Sequence, residues 1–109
     1  MRRKARQKGT GNVLADLGFD DAEELSAKAL LAVRLNELIE DRGISQAAAA
    51  SITGMTQPKV SQVRRYKLQN ISLERLMQAL VSLDQQVEIT VKPARSARAA
   101  GITVAAARR

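Results

Sequence analysis

The spacing of apolar residues changes once along the chain, near residue 85. Before that point they recur at helical intervals, and after it they alternate with polar ones. Leu31, Leu35, Leu38 and Ile39 fall at i, i+4, i+7 and i+8, the single stripe of a long helix. Asp20 or Asp21 is suited to cap its N-terminus, and Glu23 and Glu24 then sit in the first turn, where the helix dipole favours carboxylates. That position explains the acidic cluster as a helix start rather than a metal site. The helix stops at Arg42 and Gly43, with Gly43 free to turn left-handed and Ile44 placed to fold back on the last turn. Ser45 caps a second, short helix through Ala47, Ala48, Ala49, Ala50 and Ile52, interrupted by Thr53, Gly54 and Met55. Thr56 caps a third, with Gln57 and Pro58 in its first turn, where a missing N–H costs nothing. Val60 and Val63 give this helix an inner face, and Gln57, Lys59, Ser61, Arg64 and Arg65 face outward. After a connection over 66–70, Ser72 caps a fourth helix whose stripe is Leu73, Leu76, Met77, Leu80 and Val81.

Val87, Ile89 and Val91 then alternate with Glu88, Thr90 and Lys92, which predicts a half-buried strand over 86–92 ended by Pro93. A lone strand leaves its backbone groups unpaired, so it needs a partner. Residues 102–104 offer one after a turn near Gly101, and the same strand of a second chain offers another. The Ala/Arg-rich stretch between 93 and 102 reads as mobile, which favours the second chain and hence a homodimer. The pattern divides the chain into a basic arm over 1–11, a domain over 12–93 and a basic tail over 94–109.

Composition removes whole classes of chemistry. The 109 residues suit one domain, and they contain neither Cys nor His. Disulfides, thiolate metal sites, a cysteine nucleophile and the commonest general base are therefore excluded. No catalytic centre, cofactor or metal is expected, and the chain is read as not an enzyme. Phe19 and Tyr66 are the only aromatics, which argues against a stacking platform for single strands. No apolar run approaches the roughly 20 residues of a membrane span, and the basic start lacks the apolar segment of a secretory signal. A cytoplasmic protein with no membrane role is the expectation.

Charge is distributed in blocks. Residues 1–12 carry five cations and no anion, 13–41 carry a net −6, and 42–75 carry a net +5. The tail 94–109 adds +4, within a total of +7. A basic middle flanked by basic ends suits a polyanion, and double-stranded DNA is the expected partner.

Two short helices joined by a glycine turn, the second polar on its outer side, make a helix-turn-helix. Counted from Gln46, Ala50 is the fifth position, where a small residue lets the helices cross closely. Gly54 is the ninth, in the turn, and Val60 the fifteenth, on the buried side. The run ISQAAAASITGMTQPKVSQV over 44–63 resembles the Xre/Cro phage-repressor type of helix-turn-helix. Residues 12–93 further resemble a small HigA-like branch, through NVLADLGF, TQPKVS, SLERLMQAL and QQVEITVKP. The resemblance implies a mainly α, lambda-repressor-like bundle, commonly dimeric, that represses transcription. HigA-like members often neutralise a toxin encoded beside them. One departure is that Ala47 and Ala48 stand where an acidic residue is common, which weakens any capping box at Ser45 and leaves the DNA-facing side intact.

The contacts follow from groove chemistry. The N-terminal residues of a helix in the major groove reach base edges, so Gln57, Lys59 and Ser61 are the expected base contacts. A Gln amide donates to and accepts from adenine together. Gln46, Thr56, Arg64, Arg65 and Lys67 are expected at the DNA backbone, with Arg2, Arg3, Lys4 and Arg6 adding non-specific attraction. Val87, Ile89 and Val91 are the expected dimerisation residues. The alternative is an antitoxin that binds a cognate toxin nuclease, through the acidic segment 13–41, and regulates its own operon.

Overall fold

Most of the helix ends fall where a hydroxyl cap or a left-handed residue satisfies orphaned backbone groups. The computed structural model describes residues 21–105, and the arm 1–11, the run NVLADLGF over 12–19, the Asp20 cap and the last four residues lie outside that range. It contains α1 (Asp21–Arg42), α2 (Gln46–Thr53), α3 (Gln57–Arg64), α4 (Leu73–Ser82) and a 3-10 turn (Ala97–Ala99). The Ser45 Oγ accepts from the Ala48 N–H at 3.0 Å. Thr56 Oγ1 accepts from Lys59 N–H at 3.3 Å, and Ser72 Oγ from Arg75 N–H at 3.0 Å. Three predicted caps are therefore formed, each satisfying a donor that the helix cannot.

The C-termini close by left-handed residues. At α1, Gly43 has φ 63°, its N–H reaches Glu40 O at 3.0 Å and the Ile44 N–H reaches Ile39 O at 3.3 Å. This is the fold-back expected of Gly43 and Ile44. The same pair of bonds closes α3 through Tyr66 (φ 59°) and α4 through Asp84 (φ 69°), two non-glycine residues in a region that costs a bulky side chain energy.

The core gathers Ala32, Leu35, Leu38 and Ile39 of α1 against Ala49 of α2, Val60 and Val63 of α3, and Leu76, Ala79 and Leu80 of α4. Leu31 and Ala50 pack at its margin, while Ala49 is the fully enclosed alanine of α2. Two expectations change. The apolar pattern puts Val81 on the α4 stripe, yet it is 56% exposed, and Leu83 beyond the helix is buried instead. Leu76, Ala79, Leu80 and Leu83 follow one face at three- and four-residue steps, and Val81 sits a full side step from Leu80. The connection over 66–70 is also not merely a link, because Leu68 and nearby Ile71 plug the core.

The strand expected over 86–92 does not form within the chain. None of those residues enters a ladder, residues 102–104 do not pair with them, and no strand occurs among the described residues. A strand exists only where its N–H and C=O groups meet a partner, and the alternating pattern by itself supplies none. Val87 rests against the core, but Ile89 and Val91 are 73% and 90% exposed. The segment 85–105 instead forms one wall of an open groove against α1 and α4.

Truncating a fully enclosed side chain leaves a cavity, so Leu35→Ala or Leu76→Ala should lower unfolding free energy by about 2–5 kcal/mol. Val81→Ala should stay within about 0.5 kcal/mol. Urea denaturation of the three variants checks both expectations.

Candidate nucleic-acid interface

The turn between α2 and α3 is held from inside and from α4. Thr53 is buried at the end of α2, where its hydroxyl donates to Ala49 O at 2.7 Å and accepts from the Met55 N–H at 3.3 Å. Gly54 follows with φ 79°, its N–H bonding Ala50 O at 2.9 Å. An added Cβ there would lie 3.2 Å from Arg75 Nη2, so the glycine provides space as well as backbone freedom. That same Nη2 donates to Thr53 O at 3.2 Å, while Nη1 donates to Gln78 Oε1 at 3.0 Å. Arg75 thus closes the C-terminus of α2, where a cation is favoured.

Helix α3 is fixed at its far end by α1. Asn36 is buried, donates from Nδ2 to Val63 O at 3.0 Å and accepts at Oδ1 from Arg64 Nη1 at 3.0 Å. Arg64 continues to Glu40, where Nη2 meets Oε2 at 3.1 Å. The loop beyond α3 is anchored by Lys28, a buried lysine whose ammonium donates to Leu68 O at 3.1 Å and meets Glu24 Oε2 at 3.4 Å. A buried cation is costly unless so paired, and here both neighbours supply oxygen.

The predicted contact residues divide in two. Gln57 is exposed in the first turn of α3, Ser61 is half-buried one turn on, and Arg65 is exposed one turn further, all along one side. Gln46 is exposed at the first residue of α2, and Thr56 and Lys67 are exposed. Lys59 and Arg64 differ. Lys59 lies on the flank of α3 facing the next loop, and its ammonium donates to Asn70 O at 2.9 Å beside a hollow of about 330 Å³. Arg64 is turned back onto α1, as described, rather than outward.

Gln62 did not stand out in the sequence. It lies with Pro58, Ser61 and Arg65 on the side of α3 opposite Val60 and Val63. Its Oε1 is buried without a hydrogen-bond partner among the described residues, leaving an amide with spare capacity. Stepping each residue about 100° from the two valines finds it from sequence. Among the described residues no cluster of three or more His, Cys, Asp or Glu could hold a metal, and no helix is long and apolar enough to cross a membrane.

Two short capped helices about a left-handed glycine, the second presenting a polar side from a rigid seat, define a helix-turn-helix domain. Residues 13–92 match the family model described as a helix-turn-helix domain, and the chain belongs to that family. A solved chain assigned to the XRE family of transcriptional regulators is 50% identical to it, with a TM-score of 0.73. The match covers 81% of this chain and 100% of that one, so the helix-turn-helix is of the Xre type. No curated protein matches.

Asn36→Ala strips a donor from Val63 O and an acceptor from Arg64, and is expected to cost about 1–3 kcal/mol of stability. Arg65→Ala, which touches neither, should change the unfolding free energy read from urea denaturation by less than about 0.5 kcal/mol.

Proposed function

We propose that the protein is a sequence-specific, dimeric DNA-binding transcriptional repressor, acting in the cytoplasm by steric occupancy of an operator and without catalysis. One observation carries the reading: α3 is seated by Val60, Val63 and Asn36 on one side and leaves Gln57, Ser61 and Arg65 accessible along another. A rigid helix with a polar, hydrogen-bonding side is what the major groove admits. Gln57 pairs with a base, adenine by preference, and Ser61 lies one turn deeper. Lys59 reaches a guanine or a phosphate by exchanging the Asn70 carbonyl for it. The exposed start of α2 at Gln46, the Thr56 hydroxyl, Arg65 and Lys67 hold the phosphate backbone. Arg64 contributes chiefly by fixing α3 to α1, since reaching a phosphate would cost it Asn36 and Glu40. Two copies joined through Val87, Ile89 and Val91 would set two α3 helices about 34 Å apart, in successive major grooves.

The HigA-like antitoxin role is a second reading, supported by a separate surface. Helix α1 exposes Leu25, Leu30 and Val33 within the acidic stretch 13–41, a combination suited to a basic protein rather than to DNA. Co-purification with a small basic protein, lost on Leu30→Glu, is the outcome that reading requires.

The direct test is a titration on the DNA upstream of the protein's own coding sequence against scrambled DNA, at several salt concentrations. Preference for the native fragment should persist as salt rises. Gln57→Ala should cost about 1–3 kcal/mol, confined to one base pair. Lys67→Ala should weaken all DNA alike and flatten the salt slope by about one, whereas Arg64→Ala should lower stability and leave the slope nearly unchanged. Equal binding to both fragments that collapses with salt would overturn base readout.

A further inference from the structure

The segment 86–92 carries apolar residues that the chain itself leaves uncovered. Ile89 and Val91 are 73% and 90% exposed, and Glu88, Thr90 and Lys92 are exposed on the alternate positions. Neither Glu88 nor Lys92 enters an ion pair among the described residues. An occupant must cover the apolar side and meet one carboxylate and one ammonium four residues apart. A second copy of this segment, run antiparallel, offers the same two charges in reverse order.

Symmetry leaves few registers. Residues directly opposite in an antiparallel pair share a face, so a two-fold axis through a peptide bond would set apolar positions opposite polar ones. The axis must therefore pass through a residue. At Glu88 it would face two carboxylates against each other, and at Val91 it would set Ile89 against proline. At Ile89 it would oppose Glu88 to Thr90 and Lys92 to Gln86, leaving both charges without an opposite. At Thr90 it opposes Ile89 to the partner's Val91 twice, Glu88 to the partner's Lys92 twice, and Thr90 to itself.

From this we infer that the dimer forms an antiparallel two-stranded ribbon with its two-fold axis at Thr90, the Glu88–Lys92 pairs selecting the register. The inference rests on the dimer of the proposed function and specifies its contact. Pro93 agrees with it and fixes the remaining choice. It falls opposite the partner's Val87 and has no N–H to give, so that pair is a non-hydrogen-bonded one. Alternation then makes the Ile89–Val91 pairs non-hydrogen-bonded too, the kind whose side chains approach closest, and makes Thr90–Thr90 a hydrogen-bonded pair.

The chain has no cysteine, so a single introduced thiol reports the axis directly. In Thr90→Cys the two Cα atoms stand about 5.5 Å apart, within disulfide range. In Ile89→Cys the two cysteines are diagonal neighbours, with Cα atoms about 7–8 Å apart and beyond easy closure. Under mild oxidation of the full chain, Thr90→Cys should cross-link at least about tenfold faster than Ile89→Cys. Equal rates, or the reverse order, would overturn the register. Glu88→Lys and Lys92→Glu should each weaken the dimer on the order of tenfold, and the double exchange should restore it. Failure of that rescue would also overturn it. Light scattering on the unaltered chain separates the two levels. A dimer that Thr90→Cys fails to cross-link rejects this register alone, while a monomer at every concentration rejects the dimer as well.

Discussion

An eight-residue helix is not stable in water by itself, and two of them carry the functional side of this molecule. Everything else in the fold answers that constraint. Helix α1 supplies the surface on which α3 rests, through Leu35, Leu38 and Ile39 below its two valines and Asn36 at its end. Helix α4 does the corresponding work for α2, with Arg75 closing its last turn. The short helices spend only narrow apolar faces on the core. Most of their remaining surface stays exposed, which suits the contact with DNA proposed for it.

Cations have two distinct employments here. Lys28, Arg42, Arg64 and Arg75 tie backbone carbonyls or side chains of distant elements, and three of them also meet a carboxylate. Arg42 illustrates the type, donating to Leu83 O at 2.7 Å and to Asp84 at 3.3 Å, and so fastening the end of α4 to the end of α1. Arg65 and Lys67 stand exposed beside the polar side of α3. A net charge of +5 over 42–75 therefore overstates what that region offers a polyanion, since part of it is consumed in holding the helices together. The same use explains why Tyr66 and Asp84 tolerate left-handed backbone. The loops they begin are fastened from α1 by Lys28 and Arg42, and the surrounding structure sustains the local cost.

Much of the helical framework was legible in the sequence because its determinants are local. Ser45, Thr56 and Ser72 each act on a backbone N–H three residues away, and Gly43 and Gly54 act on their own turns. Such signals need no knowledge of the rest of the fold. The inward residues of α3 and most of those of α1 were equally readable, since a buried stripe repeats with the helix period. The α4 stripe departs from its expected course at Val81, because the inward face steps by three from Leu80 to Leu83, one residue past the helix, and leaves Val81 about 100° off that face.

Tertiary structure alone decided which polar groups are free. Lys28 finds Leu68 across 40 residues, Asn36 finds Val63 across 27, Arg64 finds Glu40 across 24 and Arg75 finds Thr53 across 22. No local pattern encodes such partners, because they are set by how helices cross rather than by any helix period. The fate of 86–92 belongs to the same class. Its alternation is written in the sequence, but a strand is a relation between two backbones, and a pattern in one of them cannot supply the other.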